Sequence, residues 1–241
     1  MPVYDGRVTV AAVVLFAHPE AALADAAGRP AARRIVEAAW AGGATPIVVV
    51  AADPTGQLAL ALAGSPAVLA EPAPNEGGPV GQIVHGIRVA ADQVTETDAA
   101  LVWPGRMAWV DAETVTTLIE GHGVRREQLL RPRYGDEVGW PVLLPMASVD
   151  ALNGQPADVM PDLLFERLAG QLETELLDTG DPGTVFDRAT PLDELPPYAG
   201  PPEPVRAAPE WGAAAAEMPD DAPLAGPALA PYGQAADPES D

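Results

Sequence analysis

Short runs of β-branched and aliphatic residues alternate along this chain with longer stretches in which apolar positions recur every three or four residues. That alternation predicts βαβ units and a mainly parallel sheet. The expected strands are Val8 to Phe16, Pro46 to Ala51, Ala67 to Ala70, Ala99 to Trp103, Gln128 to Arg131 and Trp140 to Leu144, with a weaker one over Thr174 to Leu177. Between the first two, Ala32, Ile35, Val36 and Ala39 share one helical face, Pro30 suits a first turn, and Gly42 or Gly43 supplies a stop. A second helix carries Val80, Ile83, Val84 and Ile87 on its apolar side. A third opens at Asp111, a good N-cap with Glu113 in the first turn, and is expected to end at Gly121 and Gly123. A fourth is started or broken by Pro161. The fold class is therefore a three-layer α/β/α sandwich with a mainly parallel sheet.

Composition divides this picture in two. Of the last 46 residues, 28 are Pro, Ala or Gly, eight are acidic and only Arg206 is basic. Such a segment buries too little apolar surface to offset its ordering entropy, so residues 1–199 are expected to form the α/β domain and residues 200–241 a disordered acidic tail. Within it "WGAAAAEM", 211 to 218, is the one stretch where a partner could dock.

Charge and missing residue types narrow the chemistry. The net charge is −22, which argues against binding nucleic acid through phosphates and against anionic membrane surfaces. All 13 basic residues are arginines, so no lysine can form a Schiff base or clamp a phosphate. Without cysteine there is no disulfide, thiolate nucleophile or thiolate metal site, which fits a cytoplasmic chain. The apolar run Val8 to Ala17 is short for a membrane span and lacks the basic flank of a signal peptide, so a buried strand is expected.

In open parallel sheets ligands sit outside the carboxyl ends of the strands. No glycine-rich phosphate loop follows the first strand. His18, at that strand's end, is either a ligand or base or an incidental loop residue. His85 and His122 are expected to be structural, and the Asp53-Pro54 pair is a turn opener before it is a ribose or metal contact. Asn75 and the glycines at 77, 78 and 81 lead into a helix whose first N–H groups could hold an anion, or they form a connector. In "VWPGRMAW", Arg106 stands on the hinge between a strand and a helix, flanked in sequence by Trp103 and Trp109.

Taken in order, these pieces resemble the MobA-like nucleotidyltransferase family, whose members attach CMP or GMP to molybdopterin. "GRPAARRIVEAAWAGGATPIVVVAAD" is similar to the family's first helix and second strand, and Asn75 to Gly78 to its asparagine-to-glycine segment. "VDAETVTTLIEGH" is similar to the stretch after its metal aspartate, "RPRYGDEVGWPVLL" to its G-h-P segment, and "FDRATPLDELPPYAG" to its closing D-I-D-T-P-E-D signature. The likeness runs from about residue 8 to 199 and implies a nucleotide-diphospho-sugar transferase, Rossmann-like fold.

The departures fall on the chemistry. The family's L-A-A-G-x-S-x-R-x-G-x-x-K cradle is replaced by "LFAHPEAALADAAG". The resemblance places Arg106 at the metal-binding aspartate, keeps Asp187 as a weak metal candidate, puts Ala189 at the second aspartate, and sets Trp140 where the family has a histidine. Magnesium needs hard oxygen ligands, and a guanidinium in a carboxylate's place repels it. Arg106 is then either a fixed cation for a phosphate or carboxylate, or the partner of a nearby Asp or Glu. The candidate ligand-binding residues are His18, Asn75, Gly78, Arg106 and Trp140, with no catalytic residue assigned. The resemblance implies a catalytically silent domain that binds a nucleotide, another small anionic ligand or a protein. The alternatives are an active transferase with a rearranged site, which alone would need Mg²⁺, and a scaffold working through its tail.

Overall fold

The computed structural model describes residues 8–201. The chain divides into two units, Met1–Pro202 and Glu203–Asp241, and the described residues belong to the first. The expected tail, including "WGAAAAEM", lies outside the described residues apart from its first two positions.

The parallel half of the sheet is built from β1 (Val10–Leu15), β2 (Ile47–Val50), β3 (Ala67–Ala70) and β4 (Ala99–Pro104). The other half holds β5 (Leu129–Tyr134), β6 (Glu137–Val138), β7 (Val142–Pro145) and β8 (Thr174–Asp178). The order is β3-β2-β1-β4-β7-β5-β6, with β8 also paired to β5. β1 runs parallel to both β2 and β4, whereas β7 is antiparallel to β4 and β5. Every residue of β2 and β4, and all but the last of β1, is buried, which is why these segments read as unbroken apolar runs. All seven expected strands are present. β6 is the addition: Gly135, with φ +59°, and Asp136 make a two-residue hairpin turn, a signal legible in "YGDE".

The helices are α1 (Pro19–Leu23), α2 (Ala31–Ala41), α3 (Gln57–Leu62), α4 (Gly78–Gln93), α5 (Ala112–Val124) and α6 (Pro161–Ala169). The chain steps from β1 outward to β3 and then returns to β4 on the opposite side of β1. Right-handed connections therefore send α2 and α4 to opposite faces of the sheet, giving the three layers. α2 packs with α5, and α4 with α6. α2 buries Ala32, Ile35, Val36 and Ala39 as its period predicts. α4 buries Val80, Ile83 and Ile87, but Val84 lies only partly covered.

α5 corrects one expectation. Asp111 caps it by accepting the Glu113 N–H (2.9 Å), but the helix passes through Gly121 and ends at Val124. Gly121 permits a close approach rather than a stop: a Cβ there would lie 2.9 Å from a Leu177 methyl of β8. α1 and α3 are too short to show a helical period in the sequence. The Asp53-Pro54 pair opens a turn, with the Gly56 N–H on the Asp53 carbonyl (3.2 Å), and the Asp53 carboxylate accepts the N–H groups of Leu58 (3.0 Å) and Ala59 (2.8 Å) at the start of α3.

His122, on the last turn of α5, is 1 % exposed, and neither ring nitrogen has a hydrogen-bond partner among the described residues. Burial holds its pKa below the ordinary 6.5; Asp98 opposes that shift and Arg126 adds to it. The unfolded chain therefore takes up a proton as the pH falls through that value while the fold resists. Stability from this group is present above it and is lost on acidification. His122→Leu is expected to match or exceed the parent in urea denaturation at about pH 8, and to lose less stability between about pH 7 and about pH 5. Equal losses in both proteins would contradict this.

Candidate functional site

β1 and β4 leave the sheet side by side, at the point where the strand order reverses, which is where an open α/β sheet forms its ligand crevice. Their exits are tied together. Gly105 donates its N–H to the Leu15 carbonyl (2.8 Å), and the Phe16 ring lies so close that a Cβ on Gly105 would sit 2.2 Å from it. Trp103 is fully buried and its indole N–H donates to the Met107 carbonyl (2.8 Å), folding the turn back on the strand.

The two tryptophans beside Arg106 in sequence are thus framework residues. Trp109 donates its indole N–H to the carbonyls of Asp187 (3.0 Å) and Thr190 (2.9 Å), and its ring carries Arg34 at 5.0 Å. The aromatic face near Arg106 belongs instead to Trp140, with the guanidinium 5.8 Å from its ring. Arg106 Nη2 donates to Asp162 Oδ1 (2.6 Å), and the Trp140 indole N–H donates to the same oxygen (3.0 Å). Phe165, one turn further along α6, meets Trp140 edge-on at 5.5 Å. Arg106 is thus paired with the Asp162 carboxylate. Asp162 was missed by sequence reasoning. Its only signal is an acidic residue in the first turn of a helix opened by Pro161.

The closing segment comes to the same turn. Arg188 donates its N–H to the Arg106 carbonyl (2.8 Å), so residues 106 and 187–189 lie against one another. The Asp187 carboxylate accepts the Ala189 N–H (2.8 Å). Upstream, the buried carboxylate of Asp181 accepts from the Asp111 N–H (2.8 Å), the Thr114 hydroxyl (2.7 Å) and the Gly183 N–H (2.8 Å). Burial raises its pKa and these three donors oppose the rise. Downstream, the Tyr198 hydroxyl donates to Glu113 (2.8 Å), and burial followed by that carboxylate pushes the phenol's pKa up. Asp181 and Tyr198 thus fasten the closing segment to the start of α5.

The other candidates stand apart from this cluster. His18 is exposed at the N-cap of α1, and its ring has no hydrogen-bond partner among the described residues. Asn75 is exposed in a 3-10 turn, Asn75–Gly77, after β3. Gly78, with φ +53°, begins α4, and a Cβ there would lie 2.2 Å from the Ala157 carbonyl. That carbonyl also accepts the Val80 N–H at 3.4 Å, Gly78 donates to the Asn75 carbonyl, and Pro79 has no N–H. The first turn of α4 is therefore largely engaged by the chain's own backbone.

The donors around Arg106 do not suit a hard divalent cation. A guanidinium occupies the turn, Ala189 offers no side-chain oxygen, and Asp162 is already paired. Among the described residues no three His, Asp or Glu side chains converge to hold a metal ion.

A mixed, mostly parallel sheet between helical layers, with its switch point at the exits of β1 and β4, defines an α/β domain of Rossmann-like type. The chain belongs to the MobA-like NTP transferase domain family, whose model matches residues 20–171. No curated protein matches it in sequence. Among solved structures it is similar to Rv0371c of Mycobacterium tuberculosis H37Rv in complex with manganese, at 18% identity and a TM-score of 0.54, over 71% of this chain and 88% of that one. A nucleotidyl transferase from Methanothermobacter thermautotrophicus gives 17% identity and a TM-score of 0.56, over 70% and 87% of the two chains. The 4-diphosphocytidyl-2C-methyl-D-erythritol synthase of Anaerococcus prevotii gives 11% and 0.57, over 75% and 92%. At these identities the likeness is one of fold. No described helix is long and apolar enough to cross a membrane.

Two substitutions test how this site is held. Asp181→Ala orphans two buried donors, Thr114 and Gly183, and the part-buried Asp111 N–H, and is expected to cost about 3 kcal/mol in urea denaturation. Asp162→Asn disrupts a pair whose side chains are 41% and 59% exposed and is expected to cost under about 1 kcal/mol. The reverse ranking would mean that the Arg106 pair, and not the buried carboxylate, holds the turn.

Proposed function

We propose that this domain binds a nucleotide-like ligand in the crevice beyond β1 and β4 and does not transfer a nucleotidyl group. The observation that carries the reading is the commitment of Arg106 to Asp162 and Trp140 at the position where the family resemblance sets a metal-binding aspartate. Its backbone contact with Arg188 supports the same alignment, because it brings the turn beside Ala189, where the resemblance sets the second aspartate. Nucleotidyl transfer depends on positioning and on neutralising charge that develops on the phosphates. The segment between β1 and α2 adds Glu20, on α1, and Asp25, and the chain has no lysine to offset them. A metal-dependent reaction like that implied for the family lacks its ligands at this turn, where a guanidinium and Ala189 stand. We assign this role to residues 1–199 and treat residues 200–241 as an acidic tail outside it.

The second reading, an active transferase with a rearranged site, is favoured by the membership of the chain in a family of NTP transferase domains. Incubation with each NTP, Mg²⁺ or Mn²⁺, and molybdopterin is expected to release no pyrophosphate, and release above a no-enzyme control overturns catalytic silence. A nucleotide screen is expected to raise Tm, since a ligand preferring the fold stabilises it. No rise with any nucleotide would leave a protein partner as the ligand of this domain. The double variant Arg106→Asp, Ala189→Asp is expected to bind Mn²⁺ by calorimetry where the parent does not. A double variant that folds and still ignores Mn²⁺ would sink the assignment of these two positions.

A further inference from the structure

α4 carries a second surface that the crevice does not use. Between its outward face and the segment around residues 152–157 lies a cavity of about 360 Å³, within the roughly 300–1,000 Å³ of small-molecule sites. Gly77 and Gly81 open its floor: a methyl added at either would meet no atom within 4 Å. Packing therefore does not require these glycines. Gly86, on the opposite face of the same helix, differs, since a Cβ there would lie 2.3 Å from a Val13 methyl of the sheet. Glycine lowers helix stability, so Gly81 leaves room at some cost.

The walls have a definite chemistry. Val84 and Leu152 supply apolar surface, while His85, Arg88 and Gln155 bring polar groups. Acidic residues outnumber basic ones 35 to 13 in this chain, yet no carboxylate lines the cavity. Arg88 is exposed, and its guanidinium has no ion-pair or hydrogen-bond partner among the described residues. His85 is held by a 2.9 Å contact between Nε2 and the Glu71 carbonyl, so in the neutral ring Nδ1 carries no proton. An arginine fork without a carboxylate, beside an apolar wall, matches a small anion with a compact apolar body.

We propose that this cavity is a binding site for a small organic anion, a carboxylate or a phosphate monoester on a compact, partly apolar body, with Arg88 as its counter-charge and Gly77 and Gly81 giving its body room. The site is separate from the crevice at Arg106 and does not depend on the function proposed for it. The test titrates the full chain with phenyl phosphate, phenylacetate and the neutral control benzyl alcohol, followed by amide NMR shifts. Binding of at least one anion with shifts on α4 is expected, and the tighter of the two identifies the preferred head group. Arg88→Gln is expected to weaken it at least tenfold. Gly81→Ala is expected to raise Tm by about 2 °C while weakening the anion at least threefold, a combination that damage to the fold cannot produce. Arg106→Asp is expected to leave this binding unchanged, which separates the result from any failure at the crevice. Absence of binding by both anions, equal binding of benzyl alcohol, or indifference to both Arg88→Gln and Gly81→Ala overturns the proposal.

Discussion

The pairing of β1 with β4 is the constraint on which the rest of this structure depends. Both strands are buried almost throughout and run parallel over six residue pairs, so each must be left at the same edge of the sheet. Two chain exits compete there for one small space. The Gly105 N–H on the Leu15 carbonyl and the Phe16 ring against Gly105 resolve that competition, and they fix the turn from which Arg106 projects. Everything that reaches the turn later arrives at an edge already set. Trp140 comes by way of the antiparallel half of the sheet, Asp162 by the start of α6, and Arg188 by the closing segment.

Given that edge, the exchange of a carboxylate for a guanidinium has local consequences. A cation here needs an anion nearby, and Asp162 supplies it while also accepting the Trp140 indole N–H. The pair is solvent-exposed and contributes little to folding. Its effect is on occupancy: the position is filled by charge of the wrong sign for a cation. The buried carboxylate of Asp181 has the opposite character. It holds the closing segment to the start of α5 by two hydrogen bonds, from Asp111 and Thr114, and closes its own turn with a third, from Gly183.

The sheet was legible in the sequence because its central strands are buried on both faces and read as apolar runs. α2, α4 and α5 were legible from their 3.6-residue period. The Asp111 cap was legible because its signal is local, three adjacent residues long. α1 and α3 span only five and six residues and show no period. Gly121 of α5 misled for another reason, because a glycine that admits a neighbouring side chain looks in sequence like one that ends a helix. At the candidate site, the order of motifs brought Arg106 and Asp187 to attention, and their segments do meet. Asp162 and Asp181 escaped notice because their partners lie 56 and 70 residues away along the chain, and nothing in the local sequence marks the contact.

The segment from Ala157 to Asp162 joins two attachments. At one end the Ala157 carbonyl presses on Gly78 and accepts the Val80 N–H; at the other Asp162 holds Arg106. It is an irregular surface connection followed by the first residues of a helix, the kind of place where chains commonly tolerate insertions and deletions. Here it behaves as a spacer of fixed length. One residue more or fewer has to be absorbed at α4 or at the Arg106 turn, so among relatives of this domain a change in the length of this connection should come with a change at one of its two ends.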